Sequence, residues 1–130
     1  MASAIMVEIA PGELLDKITI LELKLERISD AAKLANVRIE HETLNATRAE
    51  TLPASDELDA LVQDLKRVNG QLWEIEDDIR DCERQKDFSD TFIQLARAVY
   101  INNDERANLK RAINELLGSR LVEEKSYAAY

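Results

Sequence analysis

Hydrophobic positions in this chain recur in steps of three and four. From Glu13 onward, Leu14, Ile18, Leu21, Leu25, Ile28, Ala32, Ala35 and Ile39 form an unbroken apolar seam, the heptad pattern of a helix that packs along one line. The string ITILELKL also alternates like a strand, but the seam continues through it and favours a helix from 13 to about 50. The TLPAS stretch ends that helix. Pro53 stops it, and Ser55 can cap the next, with Asp56 and Glu57 in its first turn. A second seam of Leu58, Leu61, Leu65, Val68, Leu72, Ile75, Ile79 and Cys82 predicts a helix over 56–86. After the turn KDFSD, with Ser89 as N-cap, a third seam runs Phe92, Leu95, Val99, Asn102, Arg106, Leu109, Ile113 and Leu116. It predicts a helix over 90–117 closed by Gly118.

Asn102 and Arg106 interrupt the third seam, which leaves two readings. Either the helix breaks near 102–104, or it continues and buries two polar residues. Ahead of the helices, Ala4 to Ile9 alternates weakly and reads as a short extended arm. Pro11 suits a first helical turn, and Glu13 and Asp16 place negative charge where the helix dipole favours it. The expected fold is all-α. A single domain forms an antiparallel three-helix bundle on a long, coiled-coil-like helical hairpin.

Composition narrows the function. With 130 residues, 45% hydrophobic and 33% charged, the chain has apolar material for one core. A net charge of −9 opposes a nonspecific grip on nucleic acid or anionic lipid. The single cysteine, Cys82, allows no internal disulfide, and the start MASAIMVEIAPGE lacks the basic and long apolar regions of a signal peptide. No apolar run approaches the roughly 20 residues that span a bilayer. The expectation is a cytoplasmic protein with no membrane and no nucleic-acid partner.

Candidate chemistry is sparse. His41 is the only histidine, which rules out a multi-histidine zinc site and disfavours a Ser-His-Asp arrangement. Three glycines are too scattered for a phosphate loop. Cys82 sits in a seam and reads as a small core residue. The sole tryptophan lies in NGQLWEIEDDIRDCE, in a stripe of Asn69, Trp73, Glu76, Arg80 and Glu83 beside the second seam. Trp73 is expected at the core boundary, with Glu74, Asp77 and Asp78 exposed and free of metal. If the two turns centre near Pro53 and Asp87, then Lys33, Asn36, Asn69, Trp73, Glu76, Asn102 and Arg106 gather near one level. They form a polar layer that fixes register, or else a ligand site. The spacing E-x-x-D at Glu13/Asp16 and Glu74/Asp77 is one that magnesium-binding helical enzymes use, but in this register the two pairs lie many turns apart.

Four stretches, PGELLDKITILELKLERI, LWEIEDDIR, FIQLARAVYINNDERANLKRAIN and SRLVEEKSYAAY, together resemble a small bacterial and phage family catalogued as a domain of unknown function. The resemblance covers nearly the whole chain except about 41–55. It implies an all-helical domain and supplies no catalytic residues.

The leading expectation is a non-enzymatic helical interaction module, without catalytic residues, cofactor or metal, that self-associates and has room for a further protein partner. The alternative is a small all-α enzyme acting on a phosphorylated metabolite or nucleotide through carboxylate-bound magnesium. Self-association is expected from a second stripe on the first helix: Ile20, Leu23, Leu34, Val37 and Leu44, interrupted by Arg27, Asp30 and His41. Two adjacent stripes make a broad apolar face, and a homodimer would cover it.

Overall fold

The computed structural model describes residues 2–130, and among these the chain forms four helices and no strand. They are α1 (Pro11–Arg27), α2 (Ala31–Thr51), α3 (Asp56–Gln85) and α4 (Asp90–Leu116). The N-terminal arm is not in a strand, and Ile5 and Met6 are each 88% exposed. Pro11 opens α1 as the seam suggests.

The expected first helix is two helices. At Ile28 the backbone turns extended, and the Asp30 side chain caps α2 by accepting from the Lys33 N–H at 2.9 Å. The chain therefore reverses at Ile28–Asp30, and α2 packs back on α1. Reversal changes which face of the sequence points inward. Ala32, Ala35 and Ile39, which extend the first seam, are exposed. The inward face of α2 is Leu34, Val37, His41, Leu44 and Arg48, again in steps of three and four. The three-helix bundle is thus corrected to four helices.

That correction explains the second apolar stripe. α1 packs on α2, α3 and α4, whereas α2 packs chiefly on α1 and reaches α3 near its end, where Arg48 lies 4.0 Å from Asp59. A helix packed on several sides needs more than one apolar face. Leu14, Leu15, Ile18, Leu21 and Leu23 are all buried. Of the residues expected at a dimer contact, Leu23 and Val37 are buried within the chain, and Ile20, Leu34 and Leu44 are half-buried. The chain's own fold covers much of that stripe.

α3 and α4 form a long antiparallel hairpin, the most extensive pairing in the molecule. Ser55 caps α3 through the Leu58 N–H at 3.1 Å, and Lys86 closes it in the left-handed conformation. α4 does not break near 102–104. Asn102 stays in the helix by donating its amide to the Ala98 carbonyl at 2.8 Å. α1 lies obliquely across one face of this hairpin. Its start meets α4, where the Gly12 N–H donates to Asn114 Oδ1 at 2.7 Å. Its end meets α3, where Arg27 reaches the Gly70 carbonyl and Glu74. Leu14, Leu15, Ile18, Leu58, Leu65 and Ile113 form the core between them.

Candidate functional site

A charged group sits in the middle of this packing. Asp16, in the second turn of α1, is 1% exposed. Such a carboxylate is tolerated only when fully partnered. Arg106 of α4 grips it with two bonds, Nε donating to Oδ1 at 2.9 Å and Nη2 to Oδ2. Asn69 of α3 donates to Oδ1 at 2.9 Å and to the Thr19 hydroxyl oxygen at 3.0 Å. Thr19 donates back to the Asp16 carbonyl at 2.8 Å. Three helices thus share one polar knot. No buried side-chain polar atom among the described residues lacks a partner.

A second ion pair lies one turn along α4. Lys110 bonds Glu13 at 2.8 Å and Glu123 of the C-terminal segment at 3.3 Å. Burial alone would lower the Lys110 pKa, but Glu13, Asp16 and Glu123 outweigh it and hold the pKa above the ordinary lysine value. The bond that Arg106 donates to Asp16 likewise raises the arginine above its usual value. The four acids of α1 therefore lie on basic positions of the hairpin. Glu13 and Asp16 meet Lys110 and Arg106, and Glu22 and Glu26 meet Lys66 at 3.4 and 2.7 Å.

The expected polar layer divides. Asn69 and Arg106 come together on Asp16. Trp73 stands one turn above Asn69, half-buried, with the Arg27 guanidinium 5.9 Å from its ring centre. Glu76 is exposed and pairs with Arg80 at 2.9 Å. Asn102 bonds its own helix. Lys33 and Asn36 are exposed on α2, because the reversal at Ile28–Asp30 carries them away from the α3/α4 hairpin. Sequence reasoning missed Asp16 as the centre of the knot, and also Thr19, Lys110 and Glu123. One signal was Gly12 and Thr19 at heptad spacing, small residues on a face where other helices approach closely.

This arrangement is chemically restrained. The carboxylates of Glu13 and Asp16 are both engaged by cations, so they do not converge as free oxygen ligands. Glu74, Asp77 and Asp78 are exposed, and among the described residues no group of three His, Cys, Asp or Glu side chains is placed to hold a metal. Cys82 is buried in the α3 seam, where desolvation, then the carboxylates of Asp87, Asp78 and Asp81, raise its thiol pKa. A thiol held protonated is a poor nucleophile. No helix among the described residues is long and apolar enough to cross a membrane.

These features define a four-helix all-α domain locked by a buried ion pair. The chain belongs to the DUF6165 family, a family of unknown function, which it matches over residues 5–130. No match was found among curated proteins or solved structures.

Proposed function

We propose that the protein is a helical interaction module that self-associates through the outer half of the α3/α4 hairpin. The observation behind this reading is how burial changes along that hairpin. In the inner half, under α1, Leu58, Leu65, Val68 and Ile113 are at most 1% exposed. Beyond Arg27 the cover stops. From Glu74 to Gln85, about 16 Å of helix, α3 has only α4 beside it. There Cys82 is the one seam residue still buried, whereas Ile75, Ile79, Phe92, Leu95 and Val99 are half-buried, and Phe88 and Ile93 are each 52% exposed.

The uncovered face continues the one that holds α1. One heptad beyond Lys66 and Asn69 stand Trp73 and Glu76, and Arg80 follows Trp73 by another. On α4, Val99 stands one heptad before Arg106 and Ala96 two before Lys110. The occupant is a second copy of the chain. Glu76 and Arg80 lie four residues apart on one stripe. A two-fold axis passing between them sets each Glu76 against the partner's Arg80, so the stripe is complementary to itself.

Light scattering over a dilution series tests this. The expected result is a mass of twice 14.8 kDa at tens of micromolar, with Trp73 fluorescence shifting as the dimer dissociates. Ala96→Glu should give a monomer of unchanged helical content. A monomer mass for the unaltered protein at those concentrations would refute the proposal.

A further inference from the structure

The C-terminal segment 118–130 is neither helix nor strand, yet it is held at both ends. At its start the Ser119 N–H donates to the Asn114 carbonyl at 2.8 Å. At its end the Tyr130 hydroxyl donates to Asp104 at 2.6 Å, and its ring meets Tyr100 edge-on at 5.1 Å. Between these anchors the segment spans a cavity of about 1260 Å³ against α4. Its mid-span contacts are long. Glu123 lies 3.3 Å from Lys110 and Glu124 lies 3.5 Å from Arg111, against 2.8 Å for Lys110 and Glu13.

We propose that this cavity binds a small organic anion, a carboxylate or phosphate monoester attached to a planar ring, and that Glu123 is the internal group the ligand displaces. Three donors line it. Lys110 is fixed from behind by Glu13, and its side chain is only 12% exposed. The Arg111 guanidinium is half exposed. Asn114 accepts from Gly12 through Oδ1, which orients its amide and leaves the NH2 to donate. Tyr100, Tyr127 and Tyr130 supply ring walls.

Charge points the same way. The whole chain has 17 basic residues against 26 acidic ones, but the lining holds Arg106, Lys110, Arg111 and Lys125 against Asp104, Glu115 and Glu123. Arg106 and Lys110 keep their α1 partners Asp16 and Glu13, so what the departure of Glu123 frees for a ligand is the outer side of Lys110 and the charge of Lys125, beside Arg111. This site lies along α4 from Tyr100 toward its C-terminal end, beyond the outer half proposed for the dimer contact, so either can fail without the other.

The test is a titration of the ¹⁵N-labelled protein with phenyl phosphate, benzoate and inorganic phosphate, followed by amide shifts. Phenyl phosphate or benzoate should move the amides of 107–114 and 119–130 and bind more tightly than inorganic phosphate. Whichever of the two ring-bearing anions binds better identifies the head group. Glu123→Gln should tighten binding severalfold by removing the internal competitor, and Arg111→Glu should abolish it while leaving the remaining amide spectrum intact. Absence of shifts in these segments at millimolar ligand would overturn the proposal, as would a Glu123→Gln variant that binds no better than the unaltered protein.

Discussion

Asp16 and Arg106 do not carry equal weight, because their environments differ. Asp16 is 1% exposed, whereas the Arg106 side chain is 31% exposed. Removing the arginine strands a buried carboxylate. Removing the carboxylate's charge leaves a guanidinium that water can partly reach. Arg106→Met should therefore cost about 3–5 kcal/mol, and Asp16→Asn, which keeps the shape and one acceptor, about 1–3 kcal/mol. Urea unfolding followed by circular dichroism measures both, and an equal or reversed order would contradict the asymmetry. Gly12 makes a second prediction at this scale. A Cβ there would meet the Lys110 carbonyl oxygen at 2.6 Å and Asn114 Oδ1 at 2.8 Å. Backbone cannot give way cheaply, so Gly12→Ala should push α1 off α4 and cost about 1–3 kcal/mol, read from the same unfolding curves.

The elements differ in how openly the sequence announces them. α3 and α4 were legible because each packs mainly along one line, with Leu58, Leu65 and Val68 on one and Leu95, Val99 and Ile113 on the other. α1 and α2 were not separable by periodicity, since Leu25, Ile28 and Ala32 carry the seam across the reversal. The break was written in local chemistry instead: Ser29 and Asp30 stand where an N-cap is needed, and Asp30 interrupts the stripe of Leu23, Leu34 and Val37. Arg106 was legible as an anomaly in the third seam, but its partner was not. Asp16 reads from sequence as a first-turn acid, and only the oblique crossing of α1 over α4 buries it. Because the Asp30 cap is exposed, Asp30→Ala should cost about 1 kcal/mol without changing the fold, measured as a small fall in the urea midpoint with unchanged helical signal.

At the scale of the molecule, two charge patterns meet on one hairpin. Its inner half offers Lys66, Arg106 and Lys110 to the acids of α1, whereas its outer half carries Glu74, Asp77, Asp78, Asp81 and Glu83 against Arg80 and Arg84. Two outer halves brought together repel through their excess carboxylates even as the Glu76 and Arg80 pairs attract. Screening acts on the net repulsion, since the Debye length shortens to about 3 Å at 1 M salt. Added sodium chloride should therefore tighten the dimer, and a dissociation constant that rises with salt in sedimentation runs would contradict this charge pattern. The most direct test of the outer-half contact is a distance between copies. A spin label placed at Glu83→Cys, in a Cys82→Ala background, puts one exposed probe on the same stripe, one turn from Arg80 and the proposed two-fold axis, and leaves Glu76 and Arg80 in place. A short, narrow intermolecular distance in pulsed dipolar spectroscopy, lost on dilution with unlabelled protein, is the predicted result. A label that shows no coupling between copies, while the same protein scatters as a dimer, would place the contact elsewhere and contradict the account.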